Sequence, residues 1–212
     1  MGEVREKKEK KVRSDKKTEI KPTIPYALRE TIYSTSYITN KSVKDVAEAI
    51  CNFGLDSKIV MEHLSKHFRR DYMCGKVMYI GNLDKPSLQK EKVECATGWI
   101  SIRFQGYNYE KINQLSFALN VTTSKATALL LDWSIRNSKF IDRYLRTFVQ
   151  TTLDPRRMRE LKKIMKFIND NNPYEEQITW GRLILTIFED LKEETDVFTQ
   201  NISNWIDRNK KE

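Results

Sequence analysis

The chain has 212 residues, with 38 Lys and Arg against 29 Asp and Glu, a formal charge of +9 and a pI near 9.3. It is long enough to bury a core in one large domain or two small ones, and its basic balance has the sign of a protein that meets a polyanion. No run approaches the roughly 18 apolar residues of a membrane span, and Cys51, Cys74 and Cys95 are too few and too scattered for a disulfide framework or a zinc knuckle, so no membrane partner and a cytoplasmic home are expected.

Seven Gly and five Pro with 32% charged residues point to a mainly helical protein. Residues 1–22, "MGEVREKKEKKVRSDKKTEIKP", carry too little apolar surface to offset their ordering entropy and are expected to form a disordered basic arm, solvated or laid along phosphates. From Pro25 the spacing turns helical. Leu28, Ile32 and Tyr33 share one helix; Asn40 or Ser42 caps a second, with Val43, Val46, Ala47 and Ile50, which Gly54 stops; Asp56 caps a third through Ile59, Val60, His63, Leu64 and Phe68. A short strand is expected over 76–80. Residues 23–80 thus read as an N-terminal helical domain, and the polar stretch 81–96, with Pro86 inside it, as a linker.

"TGWISIRF", Thr97 to Phe104, has the cleanest alternation in the chain. As a strand it places Ile100, Ile102 and Phe104 on an apolar face and Trp99, Ser101 and Arg103 on the other. A lone strand is unstable, and an identical strand from a second copy is the economical partner. A helix follows from about Asn108 to Asn120, with Tyr109, Ile112, Leu115 and Leu119 on one face. Asn120 tolerates the left-handed conformation that ends a helix, and Thr122 caps the next one, Thr123 to about Asn137. That helix is apolar on nearly all sides, through Ala126, Ala128, Leu129, Leu130, Leu131, Trp133 and Ile135, and must be surrounded.

Residues 139–212 read as a helical region. It contains an amphipathic helix from Phe140 to Val149 and a basic helix opened by Asp154 and Pro155, with Arg156, Arg157, Arg159, Lys162, Lys163 and Lys166 around an apolar stripe of Leu161, Ile164, Met165 and Ile168. A last helix or broken pair begins at Pro173 and carries Leu183, Ile187, Leu191, Phe198, Ile202 and Trp205, a surface suited to a protein partner.

Strand, turn, amphipathic helix, the joint "LNVTTSKA" and a buried apolar helix, over about residues 98–137 of a unit spanning 97–138, resemble the ribbon-helix-helix family of DNA-binding proteins. The resemblance implies one strand and two helices per chain, intertwined as a homodimer whose two-chain ribbon enters the major groove of double-stranded DNA. It implies base contacts from Trp99, Ser101 and Arg103, and phosphate contacts from Thr122, Thr123, Ser124 and Lys125 at a helix N-terminus. Ile100, Ile102, Phe104, Leu130 and Trp133 would form the dimer core. Trp99 departs from the shorter polar or basic residue usual in that family, and Gly106 and Tyr107 replace its usual helix start. A buried edge strand of a mixed domain is the alternative.

"LRETIYSTSYITNKSVKDVAEAI" also reads as helix, joint, helix, so residues 23–80 could be a degenerate second unit pairing within the chain, although Pro22 and Pro25 damage its strand. His63 and His67 lie one helical turn apart, with Cys51 and Cys74 nearby, but no finger spacing and no HExxH is present, so no metal is assigned. No Gly-rich phosphate loop, nucleophile elbow or carboxylate pair suggests an enzyme or a cofactor. The expected function is that of a bacterial, phage or plasmid-borne transcriptional regulator. An accessory protein of plasmid transfer, replication or segregation, or a helical interaction module without DNA binding, are the rivals.

Overall fold

The computed structural model of the chain describes residues 17–91, 94–141, 144, 155–170, 172–174 and 179. Most of residues 1–22, the end of the Phe140–Val149 helix and nearly all of the region after Pro173 lie outside them. The described residues are mostly helical, with three antiparallel strand pairs.

The strand at "TGWISIRF" finds its partner inside the chain. It forms β5 (Thr97–Trp99) and β6 (Ile102–Phe104), which pair with β2 (Thr23–Pro25) and β1 (Thr18–Ile20). Thr18 faces Phe104, Ile20 faces Ile102, Thr23 faces Trp99 and Pro25 faces Thr97, so one register runs through both pairs. The break falls at Lys21 and Pro22, opposite Ile100 and Ser101. There Pro22 offers only its carbonyl, which accepts from the Ile100 amide at 3.4 Å; without an N–H it cannot return the second bond of that pair, and the ladder is interrupted. Residues 18–22 are therefore ribbon rather than arm, and this strand has no need of a second copy.

Each strand leads into two helices. The N-terminal strand feeds α1 (Tyr26–Thr39) and α2 (Val43–Asp56); the later strand feeds α4 (Gly106–Leu119) and α5 (Thr123–Ile135), with α3 (Lys58–Ser65) between the halves. The halves match at a constant offset of 80 residues (26 to 106, 40 to 120, 42 to 122). Asn40 and Asn120 are left-handed, with φ of 52° and 55°, the conformation that ends a helix and that Asn tolerates. Two residues on, Ser42 accepts from the Asp45 amide and Thr122 from the Lys125 amide, each capping the helix that follows.

Burial repeats at the same offset. In α2 the buried residues are Val46, Ala47, Ile50, Cys51, Gly54 and Leu55; in α5 they are Ala126, Thr127, Leu130, Leu131, Ser134 and Ile135. These two helices pack on each other and cross at matching positions. A Cβ added at Gly54 would overlap the Ser134 hydroxyl and lie 2.8 Å from Leu130 Cδ1. Gly54 thus lies inside α2, where it permits the close approach instead of stopping the helix, and Ser57, not Asp56, caps α3 by accepting from the Val60 amide. The apolar α5 is surrounded as its composition demands, by α2, α4 and the strands of its own chain.

Ile20 and Ile24 share one core with Ile100, Ile102 and Phe104, so residues 23–80 and 97–138, separate units in the sequence reading, are packed together. Between them a hairpin of β3 (Tyr72–Cys74) and β4 (Val77–Tyr79) turns at Gly75, whose φ of 61° suits glycine. The basic helix α6 (Pro155–Asn169) lies on α1 through Leu161, Ile164, Met165 and Ile168, the apolar stripe expected of it, and the Ser34 hydroxyl donates to Glu160 at 2.6 Å.

Candidate nucleic-acid interface

Alternation turns one face of the ribbon inward and leaves the other in solvent. Ile20, Pro22, Ile24, Ile100, Ile102 and Phe104 are buried, each Ile or Phe contributing about 1.5–3 kcal/mol on burial. The outward row holds Glu19, Lys21 and Thr23 on one strand and Trp99, Ser101 and Arg103 on the other. Trp99, Ser101 and Arg103 are thus brought together as expected, with Trp99 63% exposed. Glu19, Lys21 and Thr23 complete the face. Their signal was the alternation Ile20, Pro22, Ile24, hidden by the charges that precede it.

The outward row is polar and internally connected. The Ser101 hydroxyl donates to the Glu19 carboxylate, which also meets Lys21 Nζ at 3.5 Å and faces Arg103 across the ladder. The Ser101 bond, reinforced by Lys21 and Arg103, holds the Glu19 carboxyl below its usual range and ionised. Lys21 Nζ also lies 5.7 Å from the centre of the Trp99 ring.

The flanks differ. Beside Trp99 a cleft of about 480 Å³ is lined by Tyr26, Arg29, Tyr33 and Lys44 together with Trp99 and Ser101. The Arg29 guanidinium lies 5.4 and 5.1 Å from the Tyr26 and Tyr33 rings and donates to the Tyr33 hydroxyl at 3.4 Å. At the matching place in the other half, the four residues expected to hold phosphate are engaged within the chain. The Thr122 amide donates to Gln89 Oε1 at 2.9 Å, Thr123 Oγ1 to Asn113 at 3.2 Å, Ser124 Oγ to the Lys21 carbonyl at 3.0 Å, and Lys125 Nζ to the Glu91 carbonyl at 3.5 Å. The α2 N-terminus carries its own acid, Asp45, bonded to Ser42 Oγ at 2.7 Å.

Ile100, Ile102, Phe104 and Leu130 occupy the core of the single chain rather than a face between chains. Trp133 is half-buried against His63 and His67, with ring centres 4.7 and 5.2 Å away, and its carbonyl accepts from the Tyr174 hydroxyl at 2.8 Å. Burial, assisted by Lys66 and His67 at His63 and by Lys85 and Lys66 against Glu91 at His67, lowers the pKa of both histidines. Cys51 is fully buried, which pushes its thiol up, and Cys74 Sγ points at the Leu55 carbonyl. Among the described residues no group of three or more His, Cys, Asp or Glu side chains is arranged to hold a metal ion, and no helix is long and apolar enough to cross a membrane. Compared with family models, curated proteins and solved structures, the chain finds no match.

Proposed function

We propose that this protein binds double-stranded DNA sequence-specifically by laying its ribbon in the major groove, in the manner of the ribbon-helix-helix proteins that residues 98–137 resemble. The reading is carried by the outward face: a two-stranded antiparallel ribbon whose Ile, Pro and Phe side chains are turned inward, so that Glu19, Lys21, Thr23, Trp99, Ser101 and Arg103 face outward on a packed base. A ribbon of that width fits the major groove, and Arg103 supplies the paired donors that a guanine edge accepts. Phosphate attraction falls to Lys44 and Arg29 beside the ribbon and to the basic outer face of α6, in place of the engaged Thr122–Lys125 turn. The role is that of a regulator of bacterial, phage or plasmid origin, or an accessory protein of plasmid transfer, replication or segregation. Mapping the sites to a promoter, a transfer origin or a centromere separates these.

The test is selection of bound duplexes from a random pool, followed by a gel shift with salt titration. Arg103→Ala should cost about 1–3 kcal/mol of discrimination at one base pair. Parent-like selectivity in that variant sinks the reading. A protein-interaction module is the second reading, favoured by the exposed apolar side chains of the hairpin region, Met73, Val77, Met78, Ile80 and Leu83. It requires that no duplex be retained at moderate salt.

A further inference from the structure

We propose that one chain alone reads a non-palindromic duplex and sits on it in a single orientation; the inference rests on the DNA-binding reading above. Two identical strands from two chains would present the same residues at both ends of a ribbon, and so would demand a site with matching halves. Here the strands are two different sequences on one chain. The repeat of the halves and the register of the ladder together place Lys21 opposite Ser101 at the centre. One end then carries the pair Glu19 and Arg103, and the other the pair Thr23 and Trp99.

The two ends have different chemistry. At the first, a guanidinium donor stands beside a carboxylate acceptor. A G·C pair answers both, since guanine offers O6 and N7 to arginine and the cytosine amino group donates to a carboxylate. At the second, an indole ring and a threonine methyl offer apolar surface, which suits the thymine methyl of an A·T pair. The flanks repeat the inequality: Arg29 and Lys44 line an open cleft beside Trp99, whereas Gln89 and Glu91 occupy the corresponding turn at the start of α5. The site should therefore be rich in G·C at one end and in A·T at the other, with the stronger phosphate contacts on the A·T side.

The experiment is duplex selection with the full chain, repeated with Arg103→Ala and with Trp99→Ala, and with the mass of the parent complex measured on its selected site. Both substituted side chains are exposed, and an unchanged circular dichroism spectrum checks that the fold is kept. The expected result is one chain per duplex and a site without internal symmetry. Arg103→Ala should weaken the preference for G·C about tenfold at one end only, and Trp99→Ala the preference at the other end only. A cleavage reagent attached at the exposed Cys95, in a Cys74→Ser background, should cut on the A·T flank alone. A palindromic site, two chains per site, or relaxation of both ends by one substitution overturns the inference and leaves DNA binding standing. Failure to select any duplex overturns both.

Discussion

Residues 18–55 and residues 98–135 make the same order of strand, helix, capped joint and helix from different side chains. Ile50 stands where Leu130 stands, Leu55 where Ile135 does, and the helix ends fall at Asn40 and Asn120. On the outer face, Glu19 answers to Trp99, Lys21 to Ser101 and Thr23 to Arg103. The buried positions are held to apolar or small side chains because each half packs against the other, and a change of volume there is felt across the crossing of α2 and α5. The outer positions touch solvent and so are free to differ. Within one chain the two halves share a fold while presenting unlike surfaces.

Truncation in the shared core tests the comparison most severely. Phe104→Ala should lower stability by about 3–5 kcal/mol and Ile24→Ala, its counterpart, by about 2–5 kcal/mol, both read from denaturant midpoints. Losses confined to one half would mean that the halves fold separately. Next, Gly54→Ala should cost about 1–3 kcal/mol, because its methyl group must displace Ser134 or Leu130, whereas Ser134→Ala should be neutral or slightly stabilising, since its buried hydroxyl has no hydrogen-bond partner among the described residues. Combining the two should cost less than Gly54→Ala alone. The caps sharpen the comparison further: Ser42→Ala and Thr122→Ala should each cost about 1 kcal/mol, and helical content after mild heating should fall in both.

The smallest effect belongs to pH. His63 and His67 titrate below the ordinary 6.5 in the folded chain, so the unfolded chain binds more protons in the window just beneath that value. Stability should be fully present above it and decline as pH falls through 6.5 toward the lowered folded values. Replacing both histidines by Gln should flatten urea midpoints measured between pH 7.5 and 5.5.

Much of this arrangement was legible from side-chain period. "WISIRF" alternates, Ile112, Leu115 and Leu119 fall on one helical face, and Asn120 with Thr122 marks the joint; the structure places each accordingly. The partner strand was hidden for two reasons. Glu19 and Lys21 continue the charge of the residues before them, and Pro22 and Pro25 look incompatible with a ladder, although Pro22 falls where the ladder is interrupted and Pro25 closes β2 while still facing Thr97. Gly54 misled for a different reason: the roughly 1 kcal/mol that glycine costs a helix is outweighed by packing that only the distant α5 supplies. Gln89 and Glu91 at the start of α5 had no local signal, because their contacts depend on how the linker returns.

The ribbon joins the beginning of the described chain to its middle, and this gives its formation a clock. Strand 18–25 is synthesised first, and its partner follows only roughly eighty residues later, on the order of ten seconds at ordinary rates of translation. For that interval Ile20 and Ile24 have no ladder to join, and α2 has no α5 to cross. Whatever the outer face recognises, a nascent chain has no ribbon with which to bind it until Phe104 has left the ribosome.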